Sequence, residues 1–182
     1  MNKQRLILMS VIAVLALGFA AYRFWPVFVG SRASTVQEID SATIPDRFYA
    51  MNPQTKKEFD GLVEETKNNE IALDEARPEK TKVLQKADLK KRAFPVQGRA
   101  LLLQQGDKMF IRMEDLLTQN GPNLHILLSP ELGALGALDI GSLRATKGNV
   151  NYEIPGKVNP DKYKYVLIWS VDYRVIWSYA IL

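Results

Sequence analysis

The sequence predicts an all-β domain, a sandwich or partly closed barrel of about seven strands, preceded by an N-terminal transmembrane helix and a partly helical stalk. Three observations carry this. From Gly98 onward, short apolar runs alternate with turn-forming residues at close spacing. The last such stretch, Lys164 to Leu182, holds two runs dense in β-branched and aromatic residues, Val166–Ser170 and Val175–Ala180. Leu6 to Tyr22 contains 17 residues without a charge. The expected layout is a signal-anchor at 1–29, a stalk at 30–92 and the β-domain at 93–182.

As a helix, Leu6 to Tyr22 spans about 26 Å at 1.5 Å per residue, a little short of a hydrocarbon layer of about 30 Å. Tyr22, Phe24 and Trp25 extend the apolar cover with rings suited to the interface, and Arg23 can snorkel outward. Gly18-Phe19-Ala20 offers the rival reading of a cleaved signal peptide. The aromatic extension beyond that site favours an uncleaved anchor. With a short basic tail retained inside, the expectation is a single-pass cell-membrane protein whose C-terminal domain lies outside the cytoplasm.

Asn52-Pro53 is an N-cap and first-turn pair, and Phe59, Leu62 and Val63 follow at helical spacing, so Pro53 to about Asn68 reads as an amphipathic helix with a narrow apolar stripe and light packing. Acidic residues gather between Glu58 and Glu75 and basic ones between Arg77 and Arg92. This pattern reads as a solvated linker, with a lipid- or polymer-gripping basic patch as the alternative. Pro78 and Pro95 disfavour a continuous helix between them.

In the β-domain, Arg99–Gln104 and Lys108–Met113 flank a three-residue loop, Gln105-Gly106-Asp107. Leu124–Ser129 follows the turn signal Asn120-Gly121-Pro122, and a short strand is expected near Leu138–Leu143. Lys147-Gly148-Asn149 reads as a further turn before a strand at Val150–Ile154, and Pro155-Gly156 ends it. In the C-terminal hairpin, Val166, Ile168 and Ser170 point to one face and Tyr165, Leu167 and Trp169 to the other. That strand should be central and covered on both sides.

Composition removes several classes of function. Among 182 residues, 47% hydrophobic, there is no cysteine and a single histidine, so disulfides, thiolate chemistry and most transition-metal sites are excluded. The net charge of +4 is concentrated at the N-terminus. Once Lys3, Arg5 and Arg23 are set aside, the 24 basic residues exceed the 20 acidic ones by only one, too little for nucleic-acid binding.

Met109–Asp115, Asn120-Gly121-Pro122-Asn123-Leu124-His125 with Leu128-Ser129, and Leu143 are followed by Lys147-Gly148-Asn149-Val150-Asn151-Tyr152-Glu153-Ile154-Pro155. Tyr163–Val166, Ile168-Trp169, Tyr179-Ala180 and Leu182 complete the set. In this order they resemble the DM-thirteen domain, named for a proposed electron-transfer role in Skeletor-type proteins, here in a membrane-anchored bacterial form. The resemblance marks Asn120, Gly121, Pro122, His125, Gly148, Asn149, Tyr152, Pro155, Trp169 and Ser170 as family-motif positions. It also implies a cysteine after the tryptophan of the penultimate strand, where this chain has Ser170. A serine hydroxyl neither exchanges electrons nor ligates iron near neutral pH.

Individually, Ser170 reads as a small strand residue bonded to nearby backbone. A Ser170–His125 pair is conceivable, but no oriented base or oxyanion hole is visible for it. His125 reads as a rim residue, and the Asn-Gly-Pro and Gly-Asn elements as structural turns. Glu114-Asp115, Asp139 and Glu153 are oxygen ligands without calcium-loop spacing. The expectation is therefore a non-enzymatic, cofactor-free interaction module that binds an envelope protein or polymer, with a redox accessory as the alternative.

Overall fold

A computed structural model describes residues 47–156 and 158–182. The expected span, Leu6 to Tyr22, lies outside them. Among the described residues no helix is long and apolar enough to cross a membrane.

A short 3₁₀ turn, Arg47–Ala50, leads into α1, Pro53–Thr66. The side chain of Asn52 caps this helix by accepting from the Thr55 amide at 2.8 Å, and proline supplies the first helical residue without forfeiting a hydrogen bond. The helix packs more deeply than its narrow stripe predicts. Phe59 is fully buried, with its ring 5.0 Å from that of Tyr173 and 6.3 Å from that of Trp177. Phe59, with the buried Val63 one turn on, anchors the helix where a broad stripe would otherwise be needed.

Among the described residues ten strands follow: β1 Ala72–Asp74, β2 Lys82–Asp88, β3 Lys90–Lys91, β4 Val96–Gln105, β5 Lys108–Thr118, β6 Leu124–Ser129, β7 Leu138–Ser142, β8 Lys147–Glu153, β9 Tyr165–Ser170 and β10 Val175–Ile181. They form two five-stranded sheets, ordered β1-β8-β5-β4-β2 and β3-β10-β9-β6-β7, that do not close into a barrel. All pairings are antiparallel except β1 with β8. Leu89, between β2 and β3, marks the point where the chain leaves one sheet for the other.

The main core lies between the sheets. Ala100, Leu102, Ile111, Met113, Val150 and Tyr152 of the first face Leu124, Ile126, Val166, Ile168 and Trp177 of the second. β9 is central, as its two apolar faces require: Val166 and Ile168 join this core, while Leu167 and Trp169 join an outer cluster with Ala134 and Ala137. The outer face of the first sheet carries a smaller cluster, Leu101, Leu103 and Phe110.

Several elements differ from expectation for physical reasons. The strand count rises from about seven to ten because Ala72–Lys91, expected as linker, supplies β1, β2 and β3 to sheet edges. β2 and β3 are mostly exposed and lysine-rich, as suits edges guarded against further pairing, so they lack the apolar alternation that marks inner strands. Lys147-Gly148-Asn149 is the start of β8 rather than a turn. Gly148 has φ +108°, and a Cβ there would lie 2.2 Å from the Leu73 carbonyl oxygen. Glycine is required here by the close parallel approach of β1. The β4–β5 loop is a residue shorter than expected, since Gln105 and Lys108 pair directly across Gly106-Asp107.

Candidate functional site

The loop from Asn120 to Asn123 crosses one end of the sandwich between β5 and β6. Asn120 Nδ2 donates to the Asn69 carbonyl at 3.3 Å, and its Oδ1 accepts from the Gly121 amide at 2.9 Å. Gly121 lies flat on Trp177, where a Cβ would come within 2.2 Å of the indole Cη2. Asn123, at φ +45°, donates from Nδ2 to Asp172 Oδ1 at 2.8 Å, and its carbonyl accepts from the Val171 amide at 3.1 Å. The loop is thereby tied to the β9–β10 turn.

Ser170 belongs to this clasp. It is fully buried, and its hydroxyl donates to the Pro122 carbonyl at 2.8 Å. That bond satisfies an inward polar group that would otherwise cost about 1–3 kcal/mol to leave unpaired. A redox group at this position does not fit, since the side chain offers an oxygen already committed to backbone and no sulfur. Beside the clasp, a groove of about 500 Å³ opens between the start of α1 and the β9–β10 turn, lined by Asn52, Thr55, Asp172, Tyr173 and Arg174 with Ala50 and Met51.

His125 does not meet Ser170. The inner-facing Leu124 is in register with Ser170, whereas His125 is in register with Trp169 on the opposite face. There its ring lies between two groups of β7: Nδ1 is 2.7 Å from Asp139 Oδ2, and Nε2 is 3.2 Å from Ser142 Oγ. Asp139 Oδ1 in turn accepts from the Gly141 amide at 2.8 Å. Ser142 was not singled out by sequence reasoning, and Asp139 was considered only as a cation ligand. The signal that joins them is the pairing of β6 with β7, which sets Ser142 opposite His125.

The remaining motif positions lie on the first sheet. Asn149 Oδ1 accepts from the Asp115 amide at 3.1 Å, and the Tyr152 hydroxyl accepts from the Arg144 amide at 2.9 Å. Burial pushes the Tyr152 phenol above its usual range, an effect that Arg144 only partly offsets. Pro155 follows β8. The motif positions therefore do not converge on one site.

A second cluster on this sheet was also missed. Arg112, nearly buried, donates from Nε to Glu114 at 2.9 Å and from Nη1 to the Glu75 carbonyl and to Asn151 Oδ1. Arg99 and Arg77 each reach Glu114 at 3.1 Å. Burial raises the Glu114 carboxyl, but the bonds from Arg112 and Arg99 and the charge of Arg77 outweigh it and hold it below its ordinary value. Glu75 is lowered in the same way: burial is outweighed by the Asn151 amide and Arg144. These contacts fasten the segment between β1 and β2 across the outer face of the sheet. The carboxylates expected as cation ligands are thus engaged by bases, Glu114 by three arginines, Glu153 by Lys108 at 2.9 Å and Asp139 by His125. Among the described residues no group of three or more acidic or histidine side chains is placed to hold a metal ion.

Residues 88–182 match the family model described as electron transfer DM13, more than half of the chain. No curated protein and no solved structure matches.

Proposed function

The chain belongs to the electron-transfer DM13 family, and from that premise we propose that it works as a membrane-tethered, outward-facing interaction module and not as a thiol-based electron carrier. One observation carries the reading. Where the family resemblance places a cysteine, the chain has a fully buried serine whose hydroxyl is spent on the Pro122 carbonyl. The groove beside it supports a binding role, because Asp172, Arg174, Asn52 and Tyr173 line it with both charges, an amide and an aromatic residue. The partner is an envelope protein or polymer. The tether is the uncharged run Leu6 to Tyr22.

Full-length protein in spheroplasts should lose its β-domain to added protease; protection until lysis overturns the topology. Used as bait in envelope extracts, it should retain a partner that Arg174→Glu releases. Retention unchanged by Arg174→Glu would remove the groove from the reading. Purification with a chromophore that cycles between oxidation levels would replace the interaction module by a redox accessory.

A further inference from the structure

We propose that Ser142 is an activated nucleophile that accepts an acyl group from a carboxylic ester, with His125 as its base and Asp139 as the residue that positions the base. The inference is independent of the binding role proposed above. Its ground is the contact series on the outer face of the second sheet: Asp139 Oδ2 to His125 Nδ1 at 2.7 Å, and His125 Nε2 to Ser142 Oγ at 3.2 Å. Nucleophile, base and orienting carboxylate follow one another at hydrogen-bond reach, with the two imidazole nitrogens facing opposite ways. The Asp139–Nδ1 contact favours the tautomer with the proton on Nδ1. Nε2 is then left as the acceptor for the serine proton.

The fold explains how a surface strand pair holds this geometry. Leu143 donates its amide to Leu124 at 2.7 Å, so the adjoining pair, Ser142 and His125, is the non-hydrogen-bonded kind in which facing side chains approach most closely. The same register turns the Ser142 amide toward the open side of β7, which is an edge strand. An acyl oxygen drawn to that amide would meet a donor belonging to the nucleophile's own residue. Asp139 is fixed by the Gly141 amide, and the His125 ring stands in register with the buried Trp169. Ser142 itself is exposed, so an ester can approach without any opening of the fold.

In the proposed step Ser142 Oγ attacks the ester carbonyl as its proton passes to His125 Nε2. The tetrahedral adduct then expels the alcohol oxygen, which takes that proton from Nε2. One C–O bond forms, one breaks, and an alcohol leaves. No oxidant or reductant takes part.

The test uses the full chain and p-nitrophenyl acetate. Release of p-nitrophenol should accompany acetylation of Ser142, located by tandem mass spectrometry, and be absent at that residue in Ser142→Ala. His125→Asn should slow acetylation of Ser142 by about 100-fold or more, the range of general-base assistance. Because His125 is the sole histidine, its Nδ1 proton can be followed by NMR, and Asp139→Asn should abolish its downfield signal while slowing acetylation. Acetyl groups found only on lysines, or an unchanged Ser142 rate in His125→Asn at an unaltered urea midpoint, would overturn the proposal. If His125→Asn proves unfolded, Asp139→Asn decides: the same rate and the same proton signal as the parent chain would overturn it equally.

Discussion

Replacing Gly121 by alanine tests whether the Asn-Gly-Pro loop owes its glycine to Trp177. The new methyl carbon would meet Cη2 at 2.2 Å, Cζ3 at 2.7 Å and Cζ2 at 2.8 Å, where carbon atoms ordinarily rest about 3.5–4.0 Å apart. The indole has little room to yield. Phe94 stacks on it at 3.7 Å, the Phe59 ring stands edge-on at 6.3 Å, and both Ala93 and Phe94 bond through their amides to the Trp177 carbonyl. Overpacking of a held site costs about 3 kcal/mol, from which about 0.4–1 kcal/mol is regained by stiffening the unfolded chain. The expected net loss of about 2–3 kcal/mol lowers the melting temperature by roughly 4–12 °C for a domain of this size. Trp177→Phe removes the ring atoms that clash, and also a buried indole N–H that finds no partner among the described residues. Combined with Gly121→Ala it should cost at least about 1 kcal/mol less than the sum of the single changes. Urea titrations followed by far-UV circular dichroism measure all four corners of this cycle. Additive losses would refute the steric account.

Three further outcomes are expected. Ser170→Ala leaves the Pro122 carbonyl without its donor and should lower the urea-derived stability by about 1–2 kcal/mol, while the thiol of Ser170→Cys should resist alkylation until denaturant is added. Gly148→Ala forces a side chain into φ +108° and against the Leu73 backbone, so amide exchange should accelerate across β1 and the start of β8 well before the remaining strands. The Glu114 carboxyl sits lower in the folded than in the unfolded chain. Its stabilisation is therefore full above the ordinary carboxyl value of 4.5 and is lost as pH falls through the folded-state value. The stability gap between the parent chain and Glu114→Gln, about 1–3 kcal/mol near neutral pH, should shrink on acidification below that point; a gap constant with pH would show that the arginines are not the cause.

How far the fold was legible depended on which face of each element is buried. The C-terminal hairpin was readable because β9 buries both faces, leaving Val166 to Trp169 apolar without interruption. Asn52-Pro53 marked the start of α1 because capping is local chemistry. β1, β2 and β3 were not readable: β1 is only three residues long, and an edge strand with exposed lysines, as in β2 and β3, has the composition of a linker, so only the partner strand reveals each of them. Gly148-Asn149 misled for a related reason. Glycine followed by asparagine is turn chemistry in isolation, and the demand for glycine arises from Leu73, some 75 residues away. The array at His125 depended on pairing register. Asp139 and Ser142 lie 14 and 17 residues beyond it, and a bulge between His125 and Leu127 brings both within reach of one ring.

What makes the family recognisable in this chain is therefore separable from the chemistry its name implies. Gly121, Pro122, Asn123 and Ser170 are engaged in closing one end of the sandwich, through the Trp177 ring, the Pro122–Ser170 bond and the Asn123–Asp172 bond, while Trp169 packs in the outer-face cluster. These are contacts of shape and backbone satisfaction, which an oxygen at position 170 meets as well as a sulfur could, because what the Pro122 carbonyl requires is a donor. Thiol chemistry would require something else of the same position, a sulfur with access to a partner. Successive residues of a strand point to opposite faces, so the inner Ser170 and the outer row through Trp169, His125 and Ser142 are divided by the sheet itself. A change at Ser170 should leave the His125 Nδ1 proton signal and the acetylation of Ser142 as they are, and a change at Ser142 should leave the clasp intact.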